Sequence, residues 1–227
     1  MARAFLPYGR QSIDDSDIEA VTAVLRGDWL TTGPSIDALE ASFAATVGAG
    51  HAVACSNGTT ALHLALAAEG VGPGAHCIVP AITFMATANA ALYCGAEVVF
   101  ADVDPDTGLM TPATLAKALD EAGDAARVAL PVHLAGQCEA MGEMADLAAK
   151  AGAVLVEDAC YAVGSKWQDR PVGNCRLSRA ATFSFHPVKT IAAGEGGMVT
   201  TNDAALARRM KNLRSHGIER ETDRHQR

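Results

Sequence analysis

Three short segments of the sequence carry side chains able to do chemistry. In Phe183-Ser184-Phe185-His186-Pro187-Val188-Lys189 a strand-like stretch runs into a loop, followed by Gly194-Glu195-Gly196-Gly197, which reads as flexible. A lysine placed there can lose part of its hydration. Desolvation or a neighbouring cation lowers an amine's pKa, and the neutral amine is the form that attacks a carbonyl. Taken alone, Lys189 also reads as a solvated surface lysine, and His186 as either a structural hydrogen-bonder or a catalytic group. The second segment, Val154-Leu155-Val156-Glu157-Asp158, sets two carboxylates where an apolar strand ends. In open α/β sheets that is the edge where ligands sit. Asp158 is the stronger candidate, as a buried carboxylate that pairs with a ring nitrogen and keeps it protonated; its alternative is a capping or turn aspartate, and Glu157 reads as structural. The third, Ser56-Asn57-Gly58-Thr59-Thr60, lies between a strand and a helix, so free N–H groups and the positive end of the helix dipole suit a phosphate. A plain turn capped by Thr59 is the competing reading.

The elements that must position these groups alternate along the chain. Helical spacing over Ile13 to Arg26, a helix after Pro34, a strand at 51–55, a helix at 59–68, a strand at 77–79 and a helix at 86–93 begin the pattern. It continues with a strand at 97–101, a helix at 112–122, a strand at 128–132, a helix at 141–150 and a strand at 154–156. Strand-like pieces follow at 181–185 and 198–201, then a helix over about 203–213. Such alternation predicts a layered α/β fold with a mostly parallel sheet between helices. Residues 1–12 read as an N-terminal segment and 13–227 as one large domain.

Composition narrows the function classes. The 227 residues are 49% hydrophobic, and the formal net charge of −8 is spread along the chain. That leaves no basic surface for nucleic acid or anionic lipid and favours a small-molecule substrate. No apolar stretch approaches the roughly 20 residues of a membrane span, and no export signal is visible, so the expected location is the cytoplasm. The six cysteines (Cys55, Cys77, Cys94, Cys138, Cys160, Cys175) form no C-x-x-C pair. They read as reduced thiols, Cys160 as a small buried hydrophobe in preference to a nucleophile. The seven histidines form no metal-binding cluster, so no metal is expected.

Read together, SNGTTAL, ITFMATANA, VHLAGQ, VLVEDACYAVGS, FSFHPVKTIAAGEGGMVTTND and LRSHG resemble the sugar aminotransferases of the DegT/DnrJ/EryC1/StrS family, in family order and spacing. The resemblance implies the large domain of a fold type I transferase dependent on pyridoxal 5′-phosphate. Lys189 would hold that cofactor as a Schiff base and, once freed by substrate, shuttle a proton to and from the cofactor. Asp158 would pair with the pyridine nitrogen, turning the ring into an electron sink. Gly58, Thr59 and Ser184 would bind the phosphate, and Phe84 would stack on the ring face. The opening, Leu6-Pro-Tyr-Gly-Arg through Asp28-Trp-Leu-Thr-Thr-Gly-Pro34, is most similar to the branch that makes the 4-amino precursor of pseudaminic acid. In that branch the substrate is a UDP-linked 4-keto-6-deoxy N-acetylamino sugar, the amino donor is L-glutamate, and the full-length enzyme is a homodimer.

Two departures stand out. Three residues after Asp158, where the family usually carries Gln or His, this sequence has Tyr161, so that position's contact to the cofactor ring oxygen does not carry over. Family members also run on past the Leu-Arg-Ser-His-Gly segment into a smaller C-terminal domain, which supplies a phosphate-binding asparagine from the partner subunit. The sequence given ends at Arg227 after the polar stretch Glu221 to Arg227. Two alternatives stay open: another nucleotide-sugar aminotransferase, or a shortened chain keeping only the fold. The related sugar dehydratases replace the lysine by histidine, against which Lys189 argues, and a dinucleotide-dependent oxidoreductase would need a G-x-G-x-x-G that is absent.

Overall fold

A computed structural model describes Phe5, Pro7 and residues 9–218. Leu6 and Tyr8 of the opening segment and the Glu221 to Arg227 stretch lie outside the described residues. Seven strands form one sheet: β1 (His51–Cys55), β2 (His76–Pro80), β3 (Glu97–Ala101), β4 (Ala126–Ala129), β5 (Val154–Asp158), and, after a small hairpin, β8 (Ala180–Ser184) and β9 (Gly197–Thr201). The hairpin strands are β6 (Lys166–Trp167) and β7 (Arg170–Pro171). The spatial order is β1-β9-β8-β5-β4-β2-β3. All pairings are parallel except those of β9, which runs against both β1 and β8.

Seven α-helices accompany the sheet: α1 (Asp15–Arg26), α2 (Pro34–Val47), α3 (Gly58–Ala68), α4 (Met85–Tyr93), α5 (Pro112–Ala122), α6 (Met141–Lys150) and α7 (Ala204–Arg214). Local chemistry sets their ends. Asp14 closes a capping box at the start of α1, Thr111 does so for α5 with Pro112 in its first turn, and Asp203 accepts from the Ala205 and Leu206 N–H groups to cap α7.

The strands alternate their side chains between two apolar layers. On one face Val53, Val79, Val128, Val156 and Val199 pack with Leu62 and Leu66 of α3 and Leu206 and Met210 of α7. On the other face Ile78, Ala129 and Leu155 meet Leu115 and Leu119 of α5 and Met144 of α6. Beside them Phe183 of β8 packs edge-on against Phe43 of α2, with ring centroids 4.9 Å apart. The sheet is thus covered on both sides, as buried parallel strands require.

Most expected elements appear where the spacing put them, and the differences have local causes. The strand expected over 128–132 ends at Ala129 and resumes only as a single bridge between Val132 and Asp158. Gly194 to Gly197 is not uniformly a loop: Gly197 is the buried first residue of β9, paired with Cys55 on one side and Ser184 on the other. Any Cβ at Gly197 would overlap the Asn57 carbonyl, so glycine there lets β9 run against the turn before α3. The hairpin at 166–171 has no local sequence signal, because its turn residues, Gln168 and Asp169, adopt positive φ without the usual Asn-Gly signature. In α1 the apolar stripe forms as spaced, yet Ile18, Val21 and Leu25 are exposed and no residue of that helix is buried. No helix among the described residues is long and apolar enough to cross a membrane.

Candidate active site

The C-terminal ends of β5 and β8 are adjacent, with Asp158 in register with Thr182. Strand alternation then decides which groups share a face. Val156 and Asp158 point toward α3 and α4, while Leu155 and Glu157 point toward the opposite layer. The two neighbouring carboxylates therefore part company. Asp158, 5% exposed, lines a cavity of about 370 Å³, and Glu157 lines a separate hollow on the other side of the sheet. There Glu157 is bonded to the ring Nε2 of His133 at 2.7 Å and to the Ser178 hydroxyl. Burial works against a charged His133, but hydrogen bonds to Cys138 and Glu157 and the Glu157 charge outweigh it and raise its pKa to about 10.

The 370 Å³ cavity gathers Gly58, Thr59, Phe84, Asp158, Ser184 and Lys189, the six residues singled out in the sequence, from four separate stretches of chain. Asp158 is held by two donors. Thr87 Oγ1 donates to its Oδ2 at 2.7 Å, and the Cys160 N–H donates to its Oδ1 at 3.2 Å. Thr87 itself is fully buried on α4, beside Thr83, whose hydroxyl lies 2.7 Å away. Nothing in the sequence marked Thr87: it sits 71 positions from its partner inside an alanine-rich helix. Phe84 stands at the N-terminus of α4, at the cavity's rim, with 69% of its surface exposed.

At the start of α3 the cap is Asn57, whose Oδ1 accepts from the Thr60 N–H at 2.8 Å. The alternative of a turn capped by Thr59 is therefore replaced. Gly58 and Thr59 fall in the first turn, where helical geometry offers their N–H groups no carbonyl partner. Gly58 also permits a close approach: a Cβ there would come within 2.7 Å of the Ser184 Cβ and 3.1 Å of its Oγ. The glycine thus brings the helix N-terminus against the Ser184 hydroxyl. Backbone N–H groups, two hydroxyls and a positive dipole end at one place make a donor set suited to a phosphate.

Lys189 follows β8 in a turn fixed by its N–H donating to the His186 carbonyl at 2.8 Å. It is half-buried, and its Nζ lies 3.3 Å from the centroid of the Tyr161 ring. His186 is exposed and also lines the cavity, as does Glu195. Cys160 lines it too, but burial and the Asp158 charge push its thiol well above the usual range, so it is held as SH. A cavity with a phosphate cradle, a buried carboxylate, an exposed aromatic and an amine fits an aromatic aldehyde carrying a phosphate. Among the described residues no group of three or more His, Cys, Asp or Glu side chains is placed to hold a metal ion.

Residues 11–227 match the model of the DegT/DnrJ/EryC1/StrS aminotransferase family. Among solved structures, 3-amino-5-hydroxybenzoic acid synthase is 37% identical with a TM-score of 0.87, over 95% of this chain and 56% of that one. Helicobacter pylori PseC, an aminotransferase involved in the biosynthesis of pseudaminic acid, is 31% identical with a TM-score of 0.86, over 96% and 58%. A sugar aminotransferase from Streptococcus pneumoniae, solved in a pyridoxal phosphate form, is 28% identical with a TM-score of 0.87, over 93% and 58%. The chain spans a little over half the length of these solved proteins.

Proposed function

This chain belongs to the DegT/DnrJ/EryC1/StrS aminotransferase family, and from that premise we propose that it is the cofactor-binding part of a transaminase dependent on pyridoxal 5′-phosphate. The reaction moves the amino group of L-glutamate to C4 of a UDP-linked 4-keto-6-deoxy N-acetylamino sugar, in the pseudaminic acid branch. The observation that carries the reading is the convergence of Lys189, Asp158, Ser184 and the Gly58-Thr59 helix start in one cavity. The likeness to H. pylori PseC across 96% of the chain supports the substrate class. Residues 13–227 constitute the cofactor-binding domain, and a second copy completes the homodimer.

The cofactor, when bound, supplies an aldehyde for an amine to hold and a ring that takes up electrons from the adjoining carbon. The chain's own groups do the rest. Gly58 and Thr59 N–H groups with the Thr59 and Ser184 hydroxyls would hold the phosphate. Asp158, already ordered by Thr87 and the Cys160 N–H, keeps a proton on the ring nitrogen by charge pairing. Phe84, at the cavity rim, would offer its ring to the face of the cofactor and shield it from water. Lys189 would supply the amine that holds the cofactor, and its Nζ, when not so engaged, would serve as the group that takes a proton from the substrate carbon and returns it.

The test uses the full-length protein containing this chain. With pyridoxal phosphate it develops a visible absorption band, and Lys189→Ala abolishes that band; a band surviving the substitution overturns the assignment. Incubation with glutamate and UDP-linked or other nucleotide-linked 4-keto sugars, followed by mass measurement, then reads the substrate. A second substrate class has its own support, because 3-amino-5-hydroxybenzoic acid synthase shares 37% identity with this chain. Product formation from another nucleotide sugar, or from a non-nucleotide ketone alone, would replace the UDP-sugar reading while keeping the transaminase one.

A further inference from the structure

The Lys189 side chain has a neighbour that the chemistry above does not use. Its Nζ lies 3.3 Å from the centroid of the Tyr161 ring, and both residues line the same cavity. The pairing is built by two turns that follow adjacent parallel strands, β5 and β8. Tyr161 is half-buried in the first turn, where the Ala162 N–H donates to the Ala159 carbonyl at 2.9 Å. Gly136 packs so closely behind it that an added Cβ would come within 3.2 Å of the Tyr161 carbonyl oxygen. The backbone that carries the ring is therefore fixed beside the lysine.

An aromatic face attracts an ammonium and gives a neutral amine no comparable attraction. Attack on an aldehyde requires the amine to give up its proton, and with it the attraction of the ring. The contact thus belongs to one state of Lys189 and must be surrendered in the other. We propose that Tyr161 is a positioning residue that holds the Lys189 ammonium in reserve, in competition with the bond between that lysine and the cofactor aldehyde. The ring weakens capture of the cofactor and keeps the displaced lysine in the cavity while substrate occupies its place. This rests on the reading of Lys189 as the lysine that holds the cofactor. Asp158, His186 and Glu195 line the same cavity. Their charges are common to every variant that differs only at position 161, so such variants isolate the ring.

The experiment compares Tyr161→Phe with Tyr161→Leu in the full-length protein, since neither carries the hydroxyl and only the first keeps the ring. Each is titrated with pyridoxal phosphate at pH 7 and read by the visible band, with borohydride reduction and peptide mass locating the bond at Lys189. Tyr161→Leu is expected to capture the cofactor about three- to tenfold more tightly than Tyr161→Phe, the worth of one half-buried cation–π contact. A ring that served only as packing would give the opposite sign. Equal or weaker capture by Tyr161→Leu, in a protein whose thermal midpoint matches that of Tyr161→Phe, overturns the proposal. Should Tyr161→Leu lose its thermal transition, Tyr161→Trp decides: the stronger cation–π partner must weaken capture relative to Tyr161→Phe, and unchanged or tighter capture overturns the proposal. A wild-type protein with no band dependent on Lys189 would instead bring down the cofactor reading itself, and this inference with it.

Discussion

Thr87 Oγ1 donates to Asp158 Oδ2 at 2.7 Å, joining the middle of the sheet to α4 across 71 positions of sequence. The carboxylate's orientation depends on this bond, since its other oxygen is tied only to the turn that follows β5. Hydrogen bonds to a charged group contribute about 1.5–3 kcal/mol. Thr87→Val should therefore lower the full-length protein's affinity for pyridoxal phosphate by about tenfold, with a fall of a few degrees in the thermal midpoint. Unchanged affinity would show that Asp158 is oriented without Thr87.

Gly58 sits in the first turn of α3 with the Ser184 side chain against it. Alanine would raise helix propensity by about 1 kcal/mol, but its methyl would have to displace Ser184 or the Cys160 sulfur, 3.2 Å from the added Cβ. Overpacking of this kind costs about 1–3 kcal/mol. Gly58→Ala is expected to lose stability in urea titration and to bind pyridoxal phosphate at least tenfold more weakly. Retained affinity would count against the phosphate cradle.

Cys160 should resist alkylation in the folded protein. Burial first, and the Asp158 charge second, raise its thiol far above the usual range, so at pH 8 almost no thiolate exists to react. Peptide mass analysis after iodoacetamide should find Cys160 unmodified in buffer and modified in urea. Rapid labelling of the native protein would contradict a thiol held protonated in its partly buried place.

The His133–Glu157 pair gives a pH dependence of definite sign. His133 titrates at about 10 when folded, above the ordinary 6.5. A raised pKa contributes stability that is complete below about pH 6.5 and is lost as pH rises toward 10. The urea midpoint should accordingly fall between pH 7 and 10, and fall less in His133→Gln. Parallel declines in both proteins would show that His133 is not charged in the native state.

Glu40, 4% exposed, ties three elements together. It accepts from the Ala54 N–H of β1 at 3.0 Å and pairs with Arg214 and, at 2.7 Å, with Lys211 of α7. Glu40→Ala leaves Arg214 half-buried without its carboxylate and the Ala54 N–H without an acceptor. The expected loss is about 3–5 kcal/mol by denaturant unfolding, with Glu40→Gln losing less because it still accepts from the amide.

Much of this fold is legible in local spacing. The bounds of β1, β3, α5 and α6 coincide with the apolar patterns that predict them, because each pattern alone records which side of an element is buried. The candidate site is also marked as a set: Gly58, Thr59, Asp158, Ser184 and Lys189 each begin, end or follow an element at the sheet's ligand-binding edge. What no single segment showed was their union. Lys189 alone reads as a surface lysine, and only the adjacency of β5 and β8 brings it to Asp158's cavity.

By itself the sequence determined the alternation of elements, the residue types at the strand ends and, through several motifs in order, the family. The tertiary structure decided which of two adjacent carboxylates faces the cavity, that Asn57 and not Thr59 caps α3, and that Thr87 and Tyr161 attend Asp158 and Lys189. The reason is geometric. Side chains alternate along a strand, so Glu157 and Asp158 must point to opposite faces. Which face receives the ligand is set by the order in which distant strands and helices pack, and no local pattern records that order.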